Sequence, residues 1–315
     1  MMIKVILFNG LGYDFDPELT KDPIGVSTFV CRSEQEALRN IEDAEVLVTF
    51  RCTEEMLRRA KKLRWIQMLS AGVDGLPMDD IRARGIILTN GRGIHRVQMS
   101  EYVIWAMISL ARNVQVLFRD QQRAIWGKGL AQGEIYGATA GILGLGSIGR
   151  EVAQKASTLG MHVIGAKRSP EKVDFVEKVW GAAEMGEVFK NSDYVINLLP
   201  HTKKTDRIID GTFFDMMKES GCFINIGRGG TVNEEDLIKA LQTHRIRGAV
   251  CDVYNQEPLP KDSPLWKLDN VILTPHICGS SPKYMEKAMQ IVEYNLHAYL
   301  NGKKMINVID FNKGY

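Results

Sequence analysis

An α/β fold built on parallel sheets is predicted by three features of this 315-residue chain. Short apolar runs alternate with helix-like segments, the order that yields parallel strands joined by crossover helices. One such run, at 140–143, passes directly into a glycine-rich turn and then a helical stretch. The residues best suited to chemistry stand just beyond the ends of apolar runs, and in a parallel sheet those ends share one edge. The length suggests two domains.

Residues 3–8 are apolar and open the first sheet. Asn9-Gly-Leu-Gly12 turns, a Pro- and Asp-rich loop follows, and 27–31 reads as a second strand. Ser33 is placed to cap a helix to residue 40, with Glu36 at the capping-box position. A buried strand over 44–50 precedes a helix over 54–62 capped by Thr53. The strand at 65–69 ends in Ser70-Ala-Gly-Val-Asp74, and a short helix over 81–84 leads to a strand at 86–89. At the sheet's carboxyl edge, N–H groups of Gly72 and Val73 could hold a substrate carboxylate; an ordinary glycine turn is the other reading. Asn90-Gly-Arg-Gly93 reads as a hinge that would put a cleft between the domains. A long apolar helix over 98–115 follows. Its Tyr102, Trp105, Ala106, Ile108, Ser109 and Arg112 mix apolar and polar faces, which suits a crossing between domains, a homodimer surface or an ordinary core helix.

The glycine turn is the most specific local signal. In Thr139-Ala-Gly-Ile-Leu-Gly-Leu-Gly-Ser-Ile-Gly-Arg150, a strand, G-x-G-x-x-G and a helix over 150–159 follow in the order that dinucleotide binding requires. Gly144 makes the tight turn, Gly146 admits a pyrophosphate, and Gly149 lets helix and strand pack closely. The helix start then offers N–H groups and a positive dipole end to phosphate. The next strand, 161–165, runs into Ala166-Lys167-Arg168-Ser169. An NAD site places an acid here for the ribose 2′-OH. Lys167, Arg168 and Ser169 would instead hold a 2′-phosphate, through charge-assisted bonds worth about 1.5–3 kcal/mol each. NADP(H) is therefore expected over NAD(H), which stays possible; solvated loop charges are the alternative reading.

Four further strands each deliver polar residues to one rim. The strand at 194–199 ends in Pro200-His201-Thr202 and then Thr205; that at 222–226 ends in Gly227-Arg228-Gly229-Gly230. A strand at 249–252 runs into Val253-Tyr-Asn-Gln-Glu257-Pro258, and one at 271–274 into Pro275-His276. Arg228, Asp252, Glu257 and His276 are expected to converge at the nicotinamide end of the cofactor.

Composition removes other classes. The formal charge is +2 with both signs mixed throughout, which lacks the clustered basic face of a nucleic-acid binder. Five scattered cysteines with no C-x-x-C read as reduced thiols of a cytoplasmic protein, with no metal site. The opening residues read as a strand and not as a signal peptide. The longest apolar stretch, 102–111, is too short to span a bilayer.

With these motifs together, the chain resembles the D-isomer-specific 2-hydroxyacid dehydrogenases over nearly its whole length, and in particular their glyoxylate/hydroxypyruvate reductases. The carrying motifs are Gly144-Leu-Gly-Ser-Ile-Gly149, Asn225-Ile-Gly-Arg-Gly229, Asp252-Val-Tyr-Asn-Gln-Glu257-Pro258 and Thr274-Pro-His276. The resemblance implies two Rossmann-like domains with parallel sheets. A cofactor domain, 98–283, would be inserted into a flavodoxin-like substrate domain made of 1–97 and 284–315. It also implies a homodimer joined through the cofactor domains. A chain stopping at Tyr315 is expected to lack the C-terminal regulatory domain of some phosphoglycerate dehydrogenases.

The resemblance assigns roles as well. Arg228 would bind the substrate carboxylate and polarise the keto oxygen, His276 would donate the proton, and Glu257 would orient His276. Asp252 would meet the nicotinamide amide. Ser147 and Ile148 would contact the pyrophosphate, while Leu199, Pro200, Thr205, Ile226 and Gly227 would line the groove. Arg51, Ala71, Gly72 and Val73 would shape the substrate site. Lys167-Arg168 replaces the ribose acid, as in the family's NADP-preferring reductases. Gly227 stands where Ala is usual, a lost methyl with no expected consequence. Glu257 stands where formate dehydrogenases carry Gln, which argues for 2-keto/2-hydroxy acid chemistry. The expected activity is reduction of a small 2-keto acid, hydroxypyruvate or glyoxylate, with no nucleic-acid or membrane partner. The alternatives are D-3-phosphoglycerate or 2-ketopantoate chemistry, and a dinucleotide-sensing corepressor-like role.

Overall fold

The structure, a computed structural model, describes residues 2–10, 25–73, 75–127 and 129–311. Part of the first turn, the Pro- and Asp-rich loop after it, Asp74 and the last four residues lie outside the described residues. The chain divides into two compact units, Met1–His95 with Ser281–Tyr315, and Arg96–Ser280.

The first unit carries β1 (Ile3–Phe8), β2 (Val26–Cys31), α1 (Glu34–Asn40), β3 (Val46–Thr49), α2 (Glu54–Arg59), β4 (Trp65–Met68), α3 (Met78–Ala83) and β5 (Ile87–Thr89). Its strands are all parallel in the order β2-β1-β3-β4-β5, the doubly wound order of flavodoxin-like sheets. Alternation along β1 sends Ile6 and Phe8 to one core with α1, α2 and α3, and Val5 and Leu7 to the other. That second core is closed by the last helix, Tyr284–Leu300, through Ala288, Met289 and Val292. Ser33 caps α1 by accepting from the Glu36 N–H at 3.2 Å, as expected. The Glu36 carboxylate reaches back to the N–H of Arg32, one residue before the cap, at 2.8 Å.

The second unit carries α4 (Arg96–Ala111), α5 (Val114–Gln122), β6 (Thr139–Leu143), α6 (Ser147–Thr158), β7 (His162–Ala166), β8 (Lys178–Trp180), α7 (Gly186–Asn191), β9 (Tyr194–Asn197), α8 (Gly211–Met216), β10 (Cys222–Asn225), α9 (Glu234–Gln242), β11 (Gly248–Cys251) and β12 (Val271–Leu273). Seven parallel strands run β12-β11-β10-β9-β6-β7-β8. On one face Ala140 and Ile142 pack with Val103, Met107 and Val152 of α4 and α6. On the other, Val195 and Phe223 pack with Phe189, Phe214 and Leu237 of α7, α8 and α9.

The helix expected over 98–115 is two helices. The break falls at Asn113, which takes a left-handed φ of 51°, a conformation asparagine tolerates. Its amide donates to the Ala131 carbonyl at 2.7 Å, so a side-chain bond to the following loop holds the break. The α5 helix buries none of its residues. Among the described residues, no helix is long and apolar enough to cross a membrane.

Candidate active site

The order of the second sheet reverses between β6 and β9, whose following loops therefore flank the crevice where open α/β sheets bind ligands. The glycine turn lies at this point. Gly144 has φ 101°, and a Cβ on it would stand 3.1 Å from the Leu198 carbonyl oxygen at the end of β9. A Cβ on Gly149 would meet the Gly144 carbonyl oxygen at 2.2 Å. A Cβ on Gly146 would find nothing within 4 Å. Gly146 caps α6 without a side-chain bond, and the first turn holds no acid. The helix begins at Ser147, three residues earlier than the sequence suggested. Ser147 and Ile148 thus lie in the first turn, whose N–H groups have no intrahelical acceptor. Open space at Gly146 beside those donors fits a dinucleotide pyrophosphate.

Strand β7 delivers Lys167 next to this turn, because the Gly144 N–H donates to the Ala166 carbonyl at 2.9 Å. Lys167 does not stand as an isolated cation. Its Nζ lies 2.5 Å from Oε1 of Glu171, and Arg150 Nη2 donates to the same oxygen at 3.0 Å. Hydrogen bonding and charge from Lys167, and then from Arg150, hold the Glu171 carboxyl below the ordinary range. An acid thus stands beside the basic pair, in addition to the cations and hydroxyl of Lys167, Arg168 and Ser169.

His276 and Glu257 meet. The imidazole Nδ1 lies 2.6 Å from Glu257 Oε2. A carboxylate accepts, so Nδ1 is the donor and Nε2 is left to face a ligand. Half of the His276 side chain is exposed. Glu257 is fixed in turn by the Tyr254 N–H, which donates to Oε1 at 3.0 Å. His276 itself has φ 53°, a left-handed conformation that costs a side-chain-bearing residue about 1–2 kcal/mol. Asp252 holds that turn from both sides. Its carbonyl accepts the His276 N–H at 2.9 Å. Its carboxylate accepts the N–H groups of Ile277 at 2.8 Å and Cys278 at 2.9 Å. The resemblance gave Asp252 to the nicotinamide amide; here it is fully buried and both oxygens are bonded to the loop that carries His276.

A third bond to Asp252 continues outward. Thr274 Oγ1 donates to Asp252 Oδ1 at 2.6 Å. Since that uses the single hydroxyl proton of Thr274, the Tyr102 hydroxyl must donate to Thr274 Oγ1, 2.5 Å away. Burial holds the Tyr102 phenol well above its usual range, so it serves as a neutral donor. The chain of bonds from α4 to His276 thus has a fixed direction.

Arg228 follows β10 in extended conformation, and its Nη1 donates to the Gly227 carbonyl at 2.8 Å. A buried amide secures the turn around it. Asn197 Nδ2 donates to Asn225 Oδ1 at 2.9 Å and Thr231 Oγ1 at 2.8 Å, and Asn197 Oδ1 accepts the Leu199 N–H at 3.1 Å. A Cβ on Gly229 would lie 1.9 Å from the Tyr254 carbonyl oxygen, so the Arg228 turn and the loop leading to Glu257 touch through bare backbone. A Cβ on Gly227 would lie 2.9 Å from the Leu199 carbonyl oxygen. The absent methyl is therefore not without consequence, since it lets Leu199 draw close to Gly227. Ile226 is buried, and Thr205 folds its own loop by donating to the Pro200 carbonyl at 2.6 Å.

Residues 104–278 match the family model described as D-isomer specific 2-hydroxyacid dehydrogenase, NAD binding domain. The chain belongs to this family. A D-isomer specific 2-hydroxyacid dehydrogenase family protein from Aeromonas salmonicida is 32% identical, with 99% of this chain and 100% of that one covered and a TM-score of 0.88. The NADPH-dependent glyoxylate/hydroxypyruvate reductase of Sinorhizobium meliloti, solved with NADP and sulfate, is 26% identical over 99% of this chain and 100% of its own, with a TM-score of 0.85. D-3-phosphoglycerate dehydrogenase of Methanocaldococcus jannaschii is 33% identical over 88% of this chain, which spans only 54% of that relative's length. As a D-2-hydroxyacid dehydrogenase family member the chain carries a nicotinamide dinucleotide domain in its second unit.

Of the residues assigned by sequence, the structure joins His276 to Glu257, ties Asp252 to their loop, and sets the glycine turn beside Lys167. In the first unit, Ser70–Val73 is braced by Asn90, whose amide donates to the Ala71 carbonyl at 2.6 Å. Arg51 is paired with Glu34 and is largely exposed. Glu171, Tyr102 and Asn197 went unassigned from sequence. Only the (i, i+4) spacing of Lys167 and Glu171 hinted at one of them, and that segment is not helical.

Proposed function

We propose that this chain is an NADP(H)-dependent reductase of small 2-keto acids, hydroxypyruvate or glyoxylate first, yielding the D-2-hydroxy acid. The observation that carries this reading is the 2.6 Å bond from His276 to Glu257 on a half-exposed imidazole. Bound NADPH would supply the hydride. His276 gives its Nε2 proton to the substrate oxygen as negative charge develops there. Arg228, a planar and permanently charged fork, takes the carboxylate and stabilises the developing oxyanion. Lys167, Arg168 and Ser169 hold the 2′-phosphate, a reading in line with the NADPH-dependent Sinorhizobium reductase. The first unit serves as the substrate domain, with Ala71, Gly72 and Val73 offered to the substrate. The protein works as a homodimer through the outer face of α4 and α5, where Trp105, Ile108, Leu117 and Phe118 are exposed; sedimentation at several concentrations tests this.

The deciding experiment follows nicotinamide absorbance with NADPH and NADH against a panel of 2-keto acids, with D-3-phosphoglycerate oxidation run beside it. Turnover of hydroxypyruvate or glyoxylate, faster with NADPH, is expected. His276→Gln should lose most turnover and still bind NADPH. Turnover of D-3-phosphoglycerate alone would move the assignment to the reaction named for the Methanocaldococcus relative.

A further inference from the structure

We propose that Glu171 sets the balance between NADPH and NADH by occupying, in the absence of phosphate, Lys167 of the 2′-phosphate site and Arg150 beside it, two cations placed to join Arg168 and Ser169 in holding the 2′-phosphate. This rests on the reading of 167–169 as the ribose-phosphate site. Lys167 and Arg150 approach from two different elements. Lys167 follows β7, whose end is bonded to the glycine turn, and Arg150 lies in α6 directly after the third glycine. Both converge on one oxygen of one carboxylate, at 2.5 and 3.0 Å. That is the arrangement a phosphate oxygen would adopt between the same two donors.

Glu171 is placed to leave. It lies outside helix and strand, directly after Pro170, and 57% of its side chain is exposed. An arriving 2′-phosphate carries about −1.5 to −2 charge and three acceptor oxygens, against one charge and two oxygens for the carboxylate. It therefore displaces Glu171 from both cations. NADH brings only a hydroxyl, which has no net charge with which to compete. With NADH the Lys167–Glu171–Arg150 cluster stays closed, and the carboxylate remains available to accept from the ribose hydroxyl. Glu171 thus lowers the advantage of NADPH without abolishing it.

The experiment is fluorescence titration of NADPH and NADH, in the absence of substrate, into the wild type, Glu171→Gln, Lys167→Ala and the double variant. Exposed ion pairs are individually weak, so freeing two cations should tighten NADPH binding by about 3- to 10-fold and leave NADH within about twofold. The gain should shrink at high salt. In the Lys167→Ala background most of the gain should vanish, since the two effects share a partner. An NADPH:NADH ratio unchanged by Glu171→Gln overturns the role given to Glu171. A wild type that binds NADPH no tighter than NADH overturns the reading of 167–169 instead. If the ratio in such a wild type rises on Glu171→Gln, the role of Glu171 stands by itself.

Discussion

Asp252→Asn tests whether the left-handed turn at His276 is held by the buried carboxylate beneath it. The carboxylate accepts three bonds, from Thr274 Oγ1, the Ile277 N–H and the Cys278 N–H. Asparagine keeps one acceptor oxygen, so the first two bonds can survive on Oδ1. Its amide nitrogen must then face the Cys278 N–H, donor against donor, at a fully buried position. A lost charge-assisted bond costs about 1.5–3 kcal/mol, and a stranded buried donor about 1–3. The two overlap, and roughly 3 kcal/mol is a fair total. That is less than the stability of a typical domain, about 5–15 kcal/mol, so the variant should fold. Added to the left-handed cost of about 1–2 kcal/mol that already favours release, this loss should let His276 leave its place in most molecules. With a tenfold change for every 1.4 kcal/mol or so, kcat at saturating NADPH should fall by about 10- to 100-fold. The Kd for NADPH, measured by fluorescence, should move by less than about threefold. Unchanged kcat would refute the positioning role. A weakened Kd with kcat preserved would return Asp252 to the nicotinamide amide.

Tyr102→Phe removes the outermost donor of the same bond chain. It should lower the thermal midpoint of the unit by a few degrees, for a bond worth about 1 kcal/mol, and reduce kcat severalfold with NADPH affinity intact; a kcat equal to wild type would show that the chain ends at Thr274. The glycines should separate by thermal melting together with NADPH titration. Gly146→Ala meets open space and should melt normally while binding NADPH more weakly. Gly229→Ala, with a Cβ 1.9 Å from the Tyr254 carbonyl, should be destabilised by several kcal/mol, as overpacking against backbone is. A Gly146→Ala variant with wild-type NADPH affinity would argue against phosphate approaching there.

The parts of this molecule visible in its sequence are those governed by local rules. Ser33 and Thr53 announce helix starts, because a side-chain oxygen before a helical run has one nearby task. Apolar runs mark the central strands, because strands buried on both faces admit little else. Several carboxyl ends read one or two residues long in the sequence, as at 194–199 against Tyr194–Asn197, since apolar residues continue past the last ladder bond. Very short elements are hard to read in the sequence, among them β8, α7 and α8, which have only three to six residues each. The break at Asn113 depends on a bond to Ala131, a distant partner that helical periodicity does not reveal. The same holds at the site. Arg228, Glu257 and His276 were legible as strand-end residues. The directional chain through Tyr102 and the approach of Arg150 to Glu171 arise from contact between segments distant in the chain, and only the (i, i+4) spacing of Lys167 and Glu171 is there to read.

Bare contact between Gly229 and Tyr254 has an evolutionary side. The arm that would grip the anion and the arm that orients the proton donor rest on one shared support, with no side chain between them to absorb a shift. A substitution selected anywhere in Val253–Glu257 for its effect on the acid will be felt at Arg228, and the reverse. Lineages that change their preferred acid should therefore vary at positions remote from this junction, and keep the junction itself as an inherited unit.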